Sequence, residues 1–152
     1  MRTKQDQMLH PWSMEIHADI KPLSINIAYY RNKQKSSAYR LYEDEWQTYL
    51  AGLSMPDDII VKDMKFAITM NFGFSNKAAD VDNPIKPLID VMQNWMGFND
   101  KQVYTVKAYK HLTKRGKEFT DIKIKQVFDE DFTQYNRTGG TILCTPSLME
   151  TD

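Results

Sequence analysis

Three aspartates and one lysine are the residues of this chain whose types and spacing could do chemistry. Asp80-Val81-Asp82-Asn83 places two carboxylates two residues apart, and Asp100 follows after an apolar helical stretch, in Gly97-Phe98-Asn99-Asp100. Hard oxygen ligands of this kind suit Mg²⁺, which keeps several waters and binds one or more carboxylates together with substrate phosphate. Such an ion polarises a phosphodiester and lowers the pKa of a bound water. Lys86 lies four residues after Asp82, one helical turn on, where an ammonium could stabilise charge on a phosphoryl group.

Plainer explanations stand beside each of these. Asp82-Asn83 before a helix is an ordinary N-cap, and on spacing alone that reading takes precedence over a metal site. Asp80 also suits a turn and Lys86 a solvated helix face, while Asp90 lies off the apolar stripe and reads as a surface residue. A calcium loop is excluded, because Ile85 and Val91 stand where that motif needs glycine and glutamate.

The elements that must position these residues follow from hydrophobic period. Met14, Ile16, Ala18 and Ile20 alternate as in a half-buried strand that Pro22 ends. Residues 26–39 are polar and basic and read as a loop. Tyr42, Trp46, Tyr49, Leu50 and Leu53 recur at helical spacing, with Gly52 and Pro56 near the end. Residues 59–74 are β-rich. Ile85, Leu88, Ile89, Met92, Trp95 and Met96 form the clearest stripe, with Asp82 or Asn83 as cap, Pro84 in the first turn and Gly97 as stop. Strands are expected around 103–110 and 119–127, joined as an antiparallel hairpin through Thr113-Lys114-Arg115-Gly116-Lys117. This order implies a single-domain α/β (α+β) fold, a mixed β-sheet with helices packed on it, over residues 1–128. Residues 129–152, acidic at first and containing Gly139-Gly140, read as a loosely ordered tail.

Composition narrows the class. The chain has 152 residues, 41% of them hydrophobic, enough for one core. A single cysteine, Cys144, precludes an internal disulfide, and His10, His17 and His111 are scattered, so a zinc site is not expected. The N-terminus lacks the apolar core of a signal peptide and no run approaches the roughly 20 residues that span a bilayer, so the expected location is cytoplasmic with no membrane partner. Net charge is zero, but as a sum of blocks: Arg31, Lys33, Lys35 and Arg40 lie in a stretch without acids, and residues 101–125 hold eight basic residues against Glu118 and Asp121, balanced by Glu43-Asp44-Glu45 and Asp129-Glu130-Asp131. A local basic surface is therefore available to phosphates, although solvated strand faces explain the same lysines. Tyr29 and Tyr30 are the better candidates for stacking on bases, whereas Phe72, Trp46 and Trp95 fall on apolar faces and read as core or interface.

The run Asp80-Val81-Asp82-Asn83-Pro84-Ile85-Lys86, with Asp90 on the helix and then Asp100-Lys101-Gln102-Val103, resembles the RusA family of Holliday junction resolvases. Lys110, Gly116 and the segments Pro22-Leu23-Ser24 and Asn26-Ile27-Ala28-Tyr29-Tyr30-Arg31 extend the likeness over about residues 14–127. The resemblance implies Asp80, Asp82 and Asp100 as catalytic Mg²⁺ ligands (with Mn²⁺ a substitute) and Lys86 as the essential lysine. It also implies a homodimer that resolves four-way junctions by paired symmetric nicks, in DNA recombination and repair, often of phage or prophage origin and so active in a bacterial cytoplasm. Asn26, Tyr30, Arg31, Lys77 and Lys101 are the expected DNA contacts. The family commonly carries arginines just before the acidic pair, where residues 75–79 here offer only Lys77. Two other readings stay open: a nuclease preferring flaps or forks, and a binder of branched DNA without hydrolysis.

Overall fold

The computed structural model describes residues 3–55 and 61–132. Four strands, β1 (Ser13–Ala18), β2 (Lys65–Phe74), β3 (Val103–Leu112) and β4 (Phe119–Val127), form one mixed sheet in the order β1-β4-β2-β3. Four helices accompany it: α1 (Lys4–Leu9), α2 (Ile25–Ala28), α3 (Ser37–Ala51) and α4 (Ile85–Met96). The expected class, a single α+β domain, is what the chain forms.

β2 alternates Phe66, Ile68, Met70 and Phe72, each essentially inaccessible, with half-buried partners. Ile122 and Ile124 of β4 and Ile16 and Ala18 of β1 continue that buried face, and Tyr42, Trp46 and Leu50 of α3 with Leu88, Val91, Met92 and Met96 of α4 complete the core. Trp46 is wholly buried, whereas Trp95 is half-buried at the margin.

The expected hairpin does not form. β4 lies between β1 and β2, antiparallel to both, and β3 runs parallel to β2 at the sheet edge. Burial explains the choice. β4 offers Thr120, Ile122 and Ile124, all at most 2% exposed, whereas β3 leaves Tyr104, Val106, Tyr109 and Leu112 at least 42% exposed. The strand that can bury a full face takes the centre. The basic connection after β3 therefore crosses the end of β2, where Thr113 donates its N–H to the Phe74 carbonyl at 2.8 Å. The parallel pair β2–β3 needs a crossover, and α4 supplies it.

Other differences are local. Residues 26–39 are not a simple loop: α2 lies at their start, and α3 begins at Ser37 rather than Tyr42. Ser36 makes that earlier start, accepting a hydrogen bond from Tyr39 N and donating its hydroxyl to Ile27 O at 2.6 Å. Val61 opens a 3₁₀ turn, Val61–Asp63, instead of a strand, and Ile59 and Ile60 lie outside the described residues. Of the expected tail, Asp129–Phe132 forms a 3₁₀ turn, and Gly139-Gly140 lies outside the described residues.

Candidate active site

The acidic loop, residues 75–84, leaves the end of β2 and enters α4. Its expected cap is not used. Pro84 occupies the N-cap position with no side-chain hydrogen bond, so neither Asp82 nor Asn83 caps the helix. Asn83 instead donates its amide to Asp80 Oδ2 at 3.4 Å, and its carbonyl accepts from Ile25 N at 2.9 Å, tying the loop to α2. Asp80 and Asp82 are both exposed. The plainer explanation of Asp82, a helix cap, is thereby removed, and its carboxylate is left facing solvent.

A lysine of β3 holds the loop in place. Lys110 Nζ donates to the carbonyls of Lys77 at 2.6 Å and Ala79 at 2.5 Å, the latter in the peptide unit that leads into Asp80. Its ammonium also lies 6.0 Å from the Phe74 ring centroid. Lys110 belonged to the family likeness, but nothing in sequence spacing pointed to this tether, because it spans 33 residues.

Beyond α4, Gly97 adopts φ +82 and closes the helix, as expected for a left-handed stop. The chain then turns back along α4. Asn99 and Gln102 cap each other's backbone N–H groups around the 3₁₀ turn Asp100–Gln102. Gln102 Nε2 donates to Val61 O at 2.6 Å and Met64 O at 2.8 Å, clamping this turn to the start of β2. The Asn-x-x-Gln spacing was a readable capping-box signal. Its consequence is that Asp100 comes within reach of the first turn of α4: Lys86 Nζ meets Asp100 Oδ2 at 3.2 Å.

Lys86 also donates to Asp90 Oδ1 at 2.7 Å, the shorter of its two bonds. Asp90, expected to be a plain surface residue, has a side chain only 21% exposed, and it works as a partner of this lysine. The Asp90 hydrogen bond, with a second from Asp100, outweighs partial burial and raises the Lys86 pKa, so the ammonium is held charged. The structure thus joins Lys86, Asp90 and Asp100 in one ion-pair cluster, while Asp80 is held apart from it by a hydrogen bond from the Asn83 amide. Among the described residues, no three His, Cys, Asp or Glu side chains are grouped so as to hold a metal ion.

Asn26 lines the same cleft as Asp80, about 390 Å³ in volume and walled also by Ser24, Asn76, Asn83 and Pro84. Tyr30 is 53% exposed, with its hydroxyl accepting from Ser37 N at 3.1 Å. Arg31, Lys77 and Lys101 are exposed. Tyr29 is not a free stacking face: its ring packs on buried Tyr39 at 5.4 Å, and Phe72 is wholly buried as expected.

The sequence matches the family model Endodeoxyribonuclease RusA over residues 5–125. The chain belongs to the RusA family. That family comprises endodeoxyribonucleases that act on branched DNA junctions, and the match spans every element that builds the acidic loop, α4 and the Asp100 turn. No curated protein matches the chain. No helix among the described residues is long and apolar enough to cross a membrane.

Proposed function

We propose that this RusA-family chain is a magnesium-dependent endonuclease that resolves four-way DNA junctions by paired, symmetric nicks, acting as a homodimer in a bacterial cytoplasm. The observation that carries the reading is the return of Asp100 to Lys86. A carboxylate from beyond the helix meets the helix turn that directly follows Asp80 and Asp82.

The donor set fits a hard divalent ion. Asp80, Asp82 and Asp100 are exposed carboxylates, and Mg²⁺ is commonly held by one or two carboxylates plus substrate phosphate rather than by a closed protein cage. Two of these carboxylates with substrate phosphate would meet that requirement, while the three are not grouped among the described residues. When bound, such an ion would activate a water and neutralise charge on the scissile phosphate. Asp80 and Asp82 would hold it from the loop, with Asp100 as the third ligand. Lys86, kept protonated by Asp90, would place its ammonium against a non-bridging phosphate oxygen as charge develops there. A two-fold dimer suits the substrate, since a junction presents two equivalent strands and a symmetric dimer two equivalent sites.

The test is cleavage of a synthetic four-way junction beside matched linear duplex, flap and fork, with and without Mg²⁺ or Mn²⁺. Paired nicks in the junction alone, dependent on the metal, are expected. Tight junction binding without nicks at any metal concentration would overturn the catalytic reading, and preferred cutting of flaps or forks would overturn the substrate.

A further inference from the structure

Among the described residues, one face of the sheet carries no helix. The buried face of β2 carries Phe66, Ile68, Met70 and Phe72, so the residues between them point the other way. Register sets Lys123, Thr69 and Lys107 in one row across β4, β2 and β3, and Lys125, Ala67 and Thr105 in the adjacent row. The three lysines thus rim a shallow depression of about 330 Å³ whose floor is small and partly hydroxylated, with Asp131 and Phe132 closing one side.

Charge on this rim is poorly compensated. Among the described residues Lys107 and Lys125 have no ion-pair partner, and Lys123 has only a loose one, Glu15 at 3.7 Å. Asp131, whose carboxylate accepts from the Phe128 N–H at 2.7 Å, places its negative charge at one side, so the three lysines outnumber the acid beside them by two. Lys65, at the foot of the face, is already paired with Asp129 at 2.5 Å and does not add to the rim. A face with three long cationic arms over threonine hydroxyls, and among the described residues no apolar cover beyond Phe132 at one side, complements a polyanion. It opposes a second copy of itself, because a two-fold pairing would set lysines against lysines.

The geometry points to a phosphate-backbone site: the bare sheet face, through Lys107, Lys123 and Lys125, binds a duplex arm of the branched DNA, apart from the acidic loop. The inference rests on the nuclease reading for the identity of the polyanion. Four-way junctions have several arms, so one protomer can hold an arm away from the cut and gain affinity that carries no sequence preference.

The experiment is a salt titration of four-way-junction binding in EDTA, so that no cleavage intervenes, with wild type, the triple variant Lys107→Gln/Lys123→Gln/Lys125→Gln and the charge-preserving triple Lys→Arg variant. Each neutralised phosphate contributes roughly 0.9 to the slope of log K against log salt, so the glutamine variant should be shallower by about 2 to 3 for each protomer whose face holds an arm, and bind about 30-fold or more weakly near 0.1 M salt. The arginine variant should match wild type. Single-turnover cleavage at saturating protein should be the same for all three. A glutamine variant with wild-type slope and affinity overturns this site while leaving the nuclease reading intact. So does a glutamine variant whose sedimentation changes while its DNA binding does not, which would make the face a protein interface. Wild type that binds no DNA overturns both.

Discussion

Replacing Lys110 with methionine removes the two hydrogen bonds that tie the acidic loop to β3 while keeping most of the side chain's apolar stem. Both bonds are short, at 2.6 and 2.5 Å, and both end on backbone carbonyls of the segment immediately before Asp80. Hydrogen bonds to a charged donor contribute about 1.5–3 kcal/mol each when protected, but Lys110 is exposed and the freed carbonyls can take water, so the stability loss should be nearer 1 kcal/mol in total. The loss of rate should be far larger than that. Displacing a catalytic group by about 1 Å costs about 100-fold, and a loop released at residues 77 and 79 carries Asp80 and Asp82 with it. Single-turnover cleavage of a four-way junction, measured beside junction affinity in Ca²⁺ and a thermal melt, separates the two effects. We expect Lys110→Met to cut roughly 30- to 100-fold more slowly, with affinity within about threefold and a fall in Tm of a few degrees. Lys110→Arg, whose forked donors can reach two carbonyls, should recover most of the rate. A methionine variant that cuts at the wild-type rate, or one that loses affinity while keeping its rate, refutes the tether as a positioning device.

Further expectations follow from the same geometry. Asp82→Asn, which removes a carboxylate without disturbing a helix cap, should abolish metal-dependent nicking and leave junction binding within a few-fold; retained nicking would remove Asp82 from the site. Asp90→Asn takes away the main cause of the raised Lys86 pKa, so the basic limb of the pH–rate profile should move to lower pH, since an ammonium with less support loses its proton sooner; an unmoved limb would separate Lys86 protonation from the rate. A Cβ at Gly73 would stand 2.3 Å from the Phe119 ring, so Gly73→Ala should lower stability by about 1–3 kcal/mol in a chemical denaturation, and adding Phe119→Ala should relieve part of that strain. Among the described residues the buried Tyr42 hydroxyl has no partner of good hydrogen-bond geometry other than the neighbouring Trp46 indole N–H, so Tyr42→Phe should change stability by no more than about 1 kcal/mol in either direction, read as a Tm within a few degrees of wild type.

Local signals in the sequence singled out the candidate site residues and most of the elements. Period alone determined α4, the buried side of β2 and the glycine stop at Gly97, because each depends on residues within one or two turns of each other. The spacing of Asp80, Asp82, Lys86 and Asp100 marked the chain as a candidate for metal chemistry on phosphates for the same reason. Pairing was decided only in three dimensions. A short connection between two β-rich runs is consistent with a hairpin, but β4 could bury a whole face and β3 could not, so β4 went between β1 and β2 and β3 to the edge. The cap at Asp82 failed to form because Pro84 took that position; the Lys86–Asp90 pair, by contrast, stands at a one-turn spacing on α4 that was legible in the sequence although Asp90 was read as a plain surface residue. Lys110 on the loop carbonyls, Gln102 on Val61 and Met64, and the row of lysines on the bare face join residues tens of positions apart. Local pattern reports which side chains can bury or ionise, whereas such meetings depend on which strand wins the centre of the sheet, a competition for buried apolar area that involves the whole chain.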